Sequence, residues 1–301
     1  MRIAVTGSRG LVGSALIRAL EERGDTVVRV VRSFTGVSAR ERVIVWHPEK
    51  GVIESGKLEG LDAVVHLAGE SLAGVWTPGK KREIRRSRVE GTELLSRSLA
   101  AAREKPGALI SASGVDYYGD RPGGEPVDED SPPGTGFMSE VAVAWERAAD
   151  PARAAGIRVV HTRFAVILSP EGGFLRTLLP LFRLGLGATL GRGTQLWPWV
   201  ALDDVVNALL FVLDRSDIAG PVNVVAPEAV THERLTEEIA RAVGRPSFLR
   251  VPAFALRIAP GNMADQLLLG SKRVVPRRLQ EAGFTFRWPE LRPALEAMLR
   301  S

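Results

Sequence analysis

The glycine-rich turn TGSRGLVG, residues 6 to 13, constrains the fold of this chain more than any other stretch. The apolar run RIAV precedes it and an amphipathic stretch follows it, which predicts a strand, a tight turn and a helix. In such a unit the first glycine permits the turn, the second lets the backbone approach a pyrophosphate, and the third allows close helix–strand packing. The first amides of the helix point at the anion. The predicted phosphate-binding residues are Gly7, Gly10, Leu11, Val12 and Gly13.

The end of the second predicted strand indicates which dinucleotide the turn would bind. Sites that prefer NAD usually place an acidic residue there, which binds the ribose 2′-hydroxyl. The stretch VVRVVRS has no acidic residue and ends in Arg32 and Ser33, while Arg9 lies inside the glycine turn. Arginine binds phosphate through charge-assisted hydrogen bonds. We therefore expect NADP(H) as the cofactor, with its 2′-phosphate between the two arginines, although arginines are common on the surface of such a basic chain.

Short apolar runs alternate with amphipathic segments through the first two-thirds of the chain. The runs are RIAV, TVVRVV, RVIVW, DAVVHLA, ALISAS and IRVVHTRFAVIL. This alternation is typical of a parallel sheet covered by helices on both faces. The predicted helices of this part span residues 11 to 23, 78 to 102 and 138 to 155. The predicted fold class is α/β, a Rossmann-type doubly wound parallel sheet with a smaller interleaved C-terminal substrate lobe.

After about residue 168 the pattern loosens into glycine-rich and proline-rich pieces such as LGLGATLGRGTQLWPW. We expect residues 1–168 to form the NADP-binding Rossmann domain and residues 169–301 to form the smaller substrate-binding lobe. Within that lobe, the run PVNVVAP at 221–227 has the pattern of a buried strand. We expect it to return to the main sheet, so that a ligand lies between the two lobes at the carboxyl edge of the strands.

The composition excludes several kinds of chemistry. A chain of 301 residues, 45% of them hydrophobic, is long enough for a large core. It has no cysteine, and its four histidines show no metal-ligand spacing, so we expect neither disulfides nor a metal site. No apolar stretch approaches the ~20 residues of a membrane span, and the first strand begins near the start of the chain. We therefore expect no signal peptide, no membrane partner and a cytoplasmic protein.

The net charge of +5 is modest for this length and gives little reason to expect a nucleic-acid partner. The densest basic run is KKREIRRSR, residues 80 to 88. No aromatic residue interleaves with its charges, and Ile84 begins an apolar stripe that continues through Leu95 and Leu99. We interpret the run as the solvated face of a long helix. Nucleic-acid binding is the alternative, and it predicts an affinity that depends on salt.

Four motifs and a C-terminal block together resemble one family. The motifs are TGSRGLVG, DAVVHLAGE at 62–70, SRVEGT at 87–92 and SASGVDYYG at 111–119, and the block is SKRVVPRRLQEAGFTFRWPEL. They resemble the extended short-chain dehydrogenases/reductases, which include sugar-nucleotide epimerases and dehydratases. More narrowly, the chain resembles the atypical epimerase-like branch of this family, whose substrate is unknown. The resemblance runs nearly end to end, and the C-terminal block is its most specific part.

The resemblance implies a nicotinamide cofactor across the carboxyl ends of the strands. Leu67, Ala68 and Gly69 would pass beneath its ribose and pyrophosphate, and Ser111 would border its nicotinamide side. Ser113 matches the family serine that hydrogen-bonds a substrate carbonyl or hydroxyl, a contact that stabilises oxyanion character during hydride transfer. A homodimer is also implied, because relatives often dimerise through two helices beside the sheet.

One part of the family pattern is missing. The ordinary mechanism uses Tyr-x-x-x-Lys at the start of the next helix, where the lysine lowers the tyrosine pKa from ~10. In the matching stretch GFMSEVAVAWERAAD the two positions fall on about Met138 and Ala142, which cannot exchange a proton. Arg88 stands where many relatives carry asparagine. The motifs therefore indicate the fold and the cofactor more strongly than any particular reaction.

The chain has two tyrosines, Tyr117 and Tyr118, and both follow Ser113 closely enough to be candidate proton donors. Continued strand alternation would put residue 117 on the same side as 111 and 113, which favours Tyr117, whereas Tyr118 matches the family's Tyr-Gly. Without a lysine neighbour either phenol would keep a pKa near ~10, so it would donate a proton at pH 7 but would act poorly as a base. The alternative is that both rings pack beside the cofactor.

The substrate is not encoded in a recognisable pattern. Residues that could contact it are Glu70, Trp76, Gln195, Trp197 and Trp199, although a tryptophan here could equally belong to the core. Three functions stay open. They are an NADP-dependent oxidoreductase or epimerase acting on a small carbonyl or sugar-type substrate, a catalytically silent NADP(H)-binding sensor or partner-binding protein, and a nucleic-acid-binding relative.

Overall fold

The computed structural model describes residues 1–33, 41–257 and 263–299. The strands are β1 (Arg2–Thr6), β2 (Thr26–Val31), β3 (Arg42–His47), β4 (Val52–Ile53), β5 (Ala63–His66), β6 (Ala108–Gly114), β7 (Pro126–Val127), β8 (Arg158–Phe164), β9 (Val166–Leu168), β10 (Ala188–Leu190), β11 (Leu196–Trp197), β12 (Trp199–Ala201), β13 (Gly220–Val224), β14 (Val230–Thr231), β15 (Leu249–Val251) and β16 (Arg273–Val274). The helices are α1 (Leu11–Glu22), α2 (Pro78–Ala101), α3 (Phe137–Arg147), α4 (Asp150–Ala154), α5 (Gly173–Arg183), α6 (Leu202–Asp214), α7 (His232–Ala242), α8 (Ala253–Leu256), α9 (Arg277–Glu281) and α10 (Leu291–Leu299). Short 3-10 segments span Pro48–Lys50, Ser55–Leu58 and Val115–Tyr118, and a π turn spans Ala264–Leu268.

The large sheet sets the architecture. Within the described residues it has eight strands in the order β13-β8-β6-β5-β1-β2-β3-β4, and every neighbouring pair is parallel except β3 and β4. The order runs outward from β1 in both directions, which is the doubly wound arrangement. The predicted α/β Rossmann-type class is confirmed. The register sets Thr6 opposite His66 and His66 opposite Ser111, so the carboxyl ends of β1 and β5 meet at one edge beside β6.

Both faces of the sheet are buried, because successive side chains of a strand point to opposite faces. In β1, Ile3 and Val5 pack in the core that α1 and α6 cover, whereas Ala4 packs in the core that α2 and α4 cover. The same alternation in β5 and β6 divides their side chains between the two cores. This double burial explains why the strands are continuous apolar runs in the sequence.

The helix predicted over residues 138 to 155 is in fact two helices. α3 ends at Arg147, and α4 begins at Asp150. Pro151 has no backbone N–H to donate to the carbonyl of Arg147, so it cannot continue α3 and instead occupies the first turn of a new helix. The helices predicted over residues 11 to 23 and 78 to 102 correspond to α1 and α2, and each predicted end lies one residue beyond the observed end.

The C-terminal part of the chain is interleaved with the sheet. β13 pairs in parallel with β8 at the sheet edge, and α6 packs in the same core as α1. A third core gathers side chains of α5, β11, β12, α7 and α10. Asp204 at the start of α6 accepts hydrogen bonds from the backbone N–H groups of Arg287 and Trp288, which ties the C-terminal block to this part. The boundary at residue 168 stays a prediction. α6 lies beyond that residue and packs in the core of the main sheet, so this core is not confined to residues 1–168.

The basic run lies on α2, which is 24 residues long. Thr77 caps this helix by accepting a hydrogen bond from the backbone N–H of Lys80. Arg82 and Arg85 are exposed, whereas Ile84 is buried. None of the described helices is both long and apolar enough to cross a membrane. In the same described ranges, no cluster of three or more histidine, aspartate or glutamate side chains is arranged to hold a metal ion.

Candidate active site

The glycine turn between β1 and α1 is tightly packed against its neighbours. Gly7 has a φ of +64°, and a Cβ there would lie 2.8 Å from the backbone of Leu67. A Cβ on Gly13 would lie 2.2 Å from the carbonyl oxygen of Gly7. Neither position has room for a side chain. Gly10 is the N-cap of α1 and offers no side-chain cap, so the first N–H groups of the helix face the turn without a side-chain acceptor.

The turn opens onto a groove of about 470 Å³ at the carboxyl edge of the sheet. Eight of the predicted cofactor residues line this groove: Gly7, Arg9, Gly10, Arg32, Ser33, Leu67, Ala68 and Gly69. Sequence reasoning missed other residues that line it, among them Trp46, Pro48, Glu49, Arg86 and Ser87. They come from β3, the segment after it and α2, and no local motif marks them.

The other four predicted cofactor residues lie outside the groove. Gly13 is buried beneath the turn, and Val12 lines a neighbouring cavity. Leu11 packs against Gly172, where an added Cβ would lie 3.1 Å from its Cδ1. Ser111 is fully buried in β6, which lies between β5 and β8, and its hydroxyl lies 3.4 Å from the carbonyl oxygen of Ala112. This packing does not support the expectation that Ser111 borders a bound nicotinamide.

A buried chain of hydrogen bonds holds the loop beneath the groove. Thr6 Oγ1 accepts from the backbone N–H groups of Leu67 and Ala68, both at 3.0 Å, so its own hydrogen goes to His66 Nδ1 at 2.8 Å. His66 Nε2 therefore carries the ring proton and donates it to Thr92 Oγ1 at 3.0 Å. Burial lowers the pKa of His66 to about 4, which agrees with a neutral ring. The histidine is thus a neutral support of the groove.

The neutral state of His66 predicts sensitivity to acid. Its pKa is about 4 in the folded protein and ~6.5 in an unfolded chain, so the unfolded state takes up the proton first as the pH falls below ~6.5. We expect this residue to lower the free energy of unfolding by about 2 kcal/mol between pH 7 and pH 5, measured by urea unfolding. His66→Gln keeps a donor and an acceptor but does not titrate, so its pH dependence should be smaller by that amount. Equal pH dependence in both proteins would contradict the neutral assignment.

A second cavity, of about 460 Å³, adjoins the groove and is called the apolar cleft below. Leu67 and Gly69 line both cavities, so the two spaces meet at the loop after β5. Most of the walls of the cleft are apolar, and they include Leu72, Met138, Val141, Ala142, Phe164, Phe174, Trp197 and Leu268. The charged or hydroxyl side chains among its described lining residues are Arg88, Ser113, Asp116 and Lys272. A concave, mostly apolar site with a few polar groups is typical of small-molecule binding.

Ser113 lies in the wall of the apolar cleft near the end of β6. Its hydroxyl donates to Glu146 Oε1 at 2.7 Å, and Glu146 accepts two hydrogen bonds from Arg163 at 2.8 and 2.9 Å. An ionised carboxylate only accepts hydrogen bonds, so in this arrangement the hydroxyl hydrogen of Ser113 points to Glu146. The lone pairs of the hydroxyl oxygen are what Ser113 offers to the cleft. The hydroxyl must rotate away from Glu146 before it can donate to a substrate oxygen.

Tyr117 does not reach the cleft. β6 gives way to the 3-10 segment Val115–Tyr118, so the strand alternation that favoured Tyr117 stops before this residue. Its ring stacks on Arg163, with the guanidinium carbon 3.5 Å from the ring centre. The ring is not among the described residues that line the apolar cleft.

Tyr118 lies in the core and is fully buried. Its hydroxyl donates to Asn223 Oδ1 and accepts from Arg163 Nη1, both at 2.8 Å. Burial raises the pKa of Tyr118 to about 12, against the opposing effect of Arg163. The structure therefore does not support the expectation of a tyrosine proton donor, because both rings contact Arg163 and the Tyr118 hydroxyl is already paired in the core.

The two positions that match the missing Tyr-Lys pair do reach the cleft. Met138 and Ala142 on α3 both line it, and both are buried. From α2, Arg88 lines the same cleft. The space that the family pair would occupy is therefore bounded here by apolar side chains and a guanidinium from another helix.

Three of the five candidate substrate residues, Trp76, Gln195 and Trp199, are packing residues. Trp76 and Trp199 are at most 1% exposed, and each donates its indole N–H to a backbone carbonyl. Gln195 is 7% exposed and donates its amide to two backbone carbonyls. Glu70 lines the groove and pairs with Lys80 at 2.6 Å. The two tryptophans and Gln195 satisfy the polar groups of a closed core, which a sequence pattern cannot distinguish from the wall of a cavity.

Lys272 and Asp116 are site residues that sequence reasoning missed. Lys272 Nζ donates to Asp116 Oδ1 at 2.6 Å inside the apolar cleft, although 156 positions separate the two residues. Lys272 is 7% exposed. Its place in the C-terminal block SKRVVPRRL was the available signal, because that block carried the most specific part of the resemblance.

The strand–turn–helix unit, the groove at the carboxyl edge and the switch in strand order at β1 together define a protein of the Rossmann dinucleotide-binding class. The sequence profile of the NAD dependent epimerase/dehydratase family matches residues 3–225, and the chain belongs to that family. Residues 251–298 match a domain of unknown function, DUF1731. The resemblance to the epimerase-like branch of the short-chain dehydrogenases/reductases is thereby confirmed.

Relatives follow the chain over nearly its whole length. An epimerase family protein of Mycobacterium bovis is 43% identical over 285 residues, which cover 94% of this chain and 93% of the relative. The crystal structure of human epimerase family protein SDR39U1 (isoform 2) with NADPH is 31% identical, with a TM-score of 0.89 and coverage of 100% of this chain and 99% of that chain. A nucleoside-diphosphate sugar epimerase of Corynebacterium glutamicum is 34% identical with a TM-score of 0.81, over 99% of this chain and 58% of that chain.

Proposed function

We propose that the chain is an NADP(H)-binding oxidoreductase or epimerase-like protein that acts on a small carbonyl or sugar-type substrate. The observation that carries this proposal is the wall shared by the two cavities. Leu67 and Gly69 line both the groove and the apolar cleft, so a molecule bound along the groove reaches the space where a substrate would bind. The human relative solved with NADPH supports the choice of cofactor.

The residues of the groove fit a dinucleotide. Gly7 and Gly13 have no room for a Cβ, so the backbone of the turn can approach a pyrophosphate closely. The uncapped first turn of α1 supplies N–H groups for that anion. Arg9 and Arg32 line the groove and supply positive charge for a 2′-phosphate. When bound, the nicotinamide of the cofactor supplies a hydride.

A proton must accompany the hydride, and the apolar cleft offers a donor other than the tyrosines. The Lys272 ammonium lines the cleft and uses one N–H on Asp116, which leaves two N–H groups for a substrate oxygen. Ser113 would position the same oxygen once its hydroxyl has rotated away from Glu146. Reduction of a carbonyl fits this set better than oxidation of an alcohol, because an ammonium donates a proton and is a poor base.

The end of β2 predicts a preference for NADPH over NADH. Arg32→Ala removes a cation from the groove, and a charge-assisted contact to phosphate contributes roughly 1.5–3 kcal/mol. We expect the variant to bind NADPH about tenfold or more weakly and NADH with nearly unchanged affinity, as measured by calorimetry. Arg97→Ala, an exposed arginine of α2 outside the groove, is the matched control. Equal losses for both nucleotides would overturn the assignment of Arg32 to the 2′-phosphate.

A catalytically silent NADP(H)-binding protein is the second candidate, because Met138 and Ala142 replace the proton-transfer pair of the family. Turnover distinguishes the two. Oxidation of NADPH, followed by its absorbance with a panel of carbonyl compounds, supports the enzyme, whereas tight NADPH binding without oxidation by any of them supports the sensor. The homodimer is a separate part of the proposal, and light scattering on the purified protein decides it.

A further inference from the structure

Arg88 is the side chain of the apolar cleft that the proposed reaction leaves unused. It is 8% exposed and lines the cleft. Its Nη1 donates to the carbonyl oxygens of Glu70 and Ile84, at 3.0 and 3.3 Å. Its Nε is buried and has no hydrogen-bond partner within the described residues. Backbone oxygens therefore hold the guanidinium in place through Nη1, while the N–H group of Nε is unsatisfied.

No carboxylate neutralises this guanidinium within the described part of the chain. The two carboxylates whose charges act on it are Glu70 and Asp116. Each already forms an ion pair at 2.6 Å with another cation, Glu70 with Lys80 and Asp116 with Lys272. Burial lowers the pKa of Arg88 to about 10, so the side chain is still cationic at pH 7. The cleft thus contains a positive charge that the protein itself does not balance.

Such a charge is costly to bury without a partner. The ring of Trp145, whose centre is 5.1 Å from the guanidinium carbon, offsets part of this cost through a cation–π contact. A carboxylate would offset far more, because it accepts two parallel hydrogen bonds from a guanidinium fork. Nη1 is occupied by backbone carbonyls, so Nη2 and Nε form the edge left for an incoming anion, and Nε is reached only after the side chains that cover it shift.

The rest of the cleft is poorly suited to a sugar nucleotide. Such a ligand presents many hydroxyl groups and two phosphates, each of which needs polar partners once it is buried. The described walls are mostly hydrocarbon, and their four charged or hydroxyl side chains, Arg88, Ser113, Asp116 and Lys272, are too few to satisfy such a ligand. Met138 and Ala142 extend this apolar surface where the family places a phenol and an ammonium. The walls therefore favour a ligand with an apolar body.

We propose that the apolar cleft selects carbonyl compounds that carry an apolar body and a single carboxylate, and that this carboxylate forms an ion pair with Arg88. The inference rests on the proposed function, since it takes the cleft as the substrate space beside the NADP(H) groove. It narrows the substrate class from small carbonyl or sugar-type compounds to apolar oxo acids.

The experiment uses two probes of equal shape, 4-phenylbutanoate and 4-phenylbutanamide, which differ in charge. Each is titrated by calorimetry into protein saturated with NADP⁺. We expect the acid to bind at least about tenfold more tightly than the amide. Arg88→Met should abolish this difference, whereas Arg97→Met, on the exposed face of the same helix, should keep it. In the unliganded protein, Arg88→Met should melt at the same or a higher temperature, because it removes an unbalanced buried charge.

Three results would overturn the inference: equal binding of acid and amide, no binding of either probe, or a preference for the acid that survives Arg88→Met. A purely structural Arg88 would show a lower melting temperature in Arg88→Met together with an unchanged acid preference. NADP⁺ affinity is measured first for every variant. Failure of the wild-type protein to bind NADP⁺ would refute the proposed function, whereas NADP⁺ binding without acid preference would refute this inference alone.

Discussion

The Gly13→Ala variant is expected to lose about 3 kcal/mol of folding stability and to bind NADPH at least about 100-fold more weakly. The added methyl carbon would lie 2.2 Å from the carbonyl oxygen of Gly7 and 2.9 Å from its carbonyl carbon. Both atoms belong to the backbone of the turn, so α1 must move away from it. That movement withdraws the first N–H groups of the helix from the phosphate position. Urea unfolding and calorimetry measure the two effects.

Gly56→Ala is the matched control for this variant. A Cβ at Gly56 would meet nothing within 4 Å, so stability should change by less than about 0.5 kcal/mol and NADPH affinity should be unchanged. Wild-type stability and affinity in Gly13→Ala would show that the close crossing of α1 over the turn is not needed, and the assignment of the turn to the pyrophosphate would fail with it.

Glu146→Ala is expected to lower the free energy of unfolding by about 3–5 kcal/mol. Arg163, whose side chain is 2% exposed, donates two hydrogen bonds to Glu146. Burial lowers the pKa of Arg163, but its hydrogen bonds to Glu146 reverse this effect and raise the pKa overall. Without Glu146 the guanidinium keeps its hydrogen bond to Tyr118 but has lost its countercharge. Urea unfolding at pH 7 measures the loss.

Glu93→Ala removes an exposed partner of Arg97 on α2 and serves as the control for charge deletion. Its cost should stay below about 0.5 kcal/mol, because solvent screens an exposed pair. If Glu146→Ala lowers the free energy of unfolding by less than about 1 kcal/mol, water or a side-chain shift satisfies Arg163. The cleft wall around Ser113 would then rearrange more easily than its contacts indicate.

The glycine turn shows which parts of the site the sequence predicts well. Its constraints act over eight consecutive residues, because the tight turn, the phosphate approach and the helix crossing each require a missing side chain at a set spacing. Arg9 and Arg32 followed from the same local unit, since the end of β2 lies beside the turn in any doubly wound sheet. The family resemblance extended this to Leu67, Ala68 and Gly69, which line the groove.

The tyrosines and tryptophans show where sequence reasoning stops. Strand alternation was extended past the end of β6, but the backbone enters a 3-10 segment there and turns Tyr118 into the core. Trp76 and Trp199 are fully packed, while Trp197 lines the cleft. All three are large amphipathic side chains, and only the packing around each one distinguishes a cavity wall from a core.

The sequence by itself determined the doubly wound sheet, the glycine turn between β1 and α1 and the family, because periodicity and short motifs act over neighbouring residues. Only the tertiary structure decided the chemistry of the apolar cleft. Lys272 meets Asp116 across 156 positions, and Arg88 reaches the carbonyl of Glu70 across 18. The charge state and the availability of such groups depend on burial and on which partners are already taken, and those properties exist only once the chain has folded.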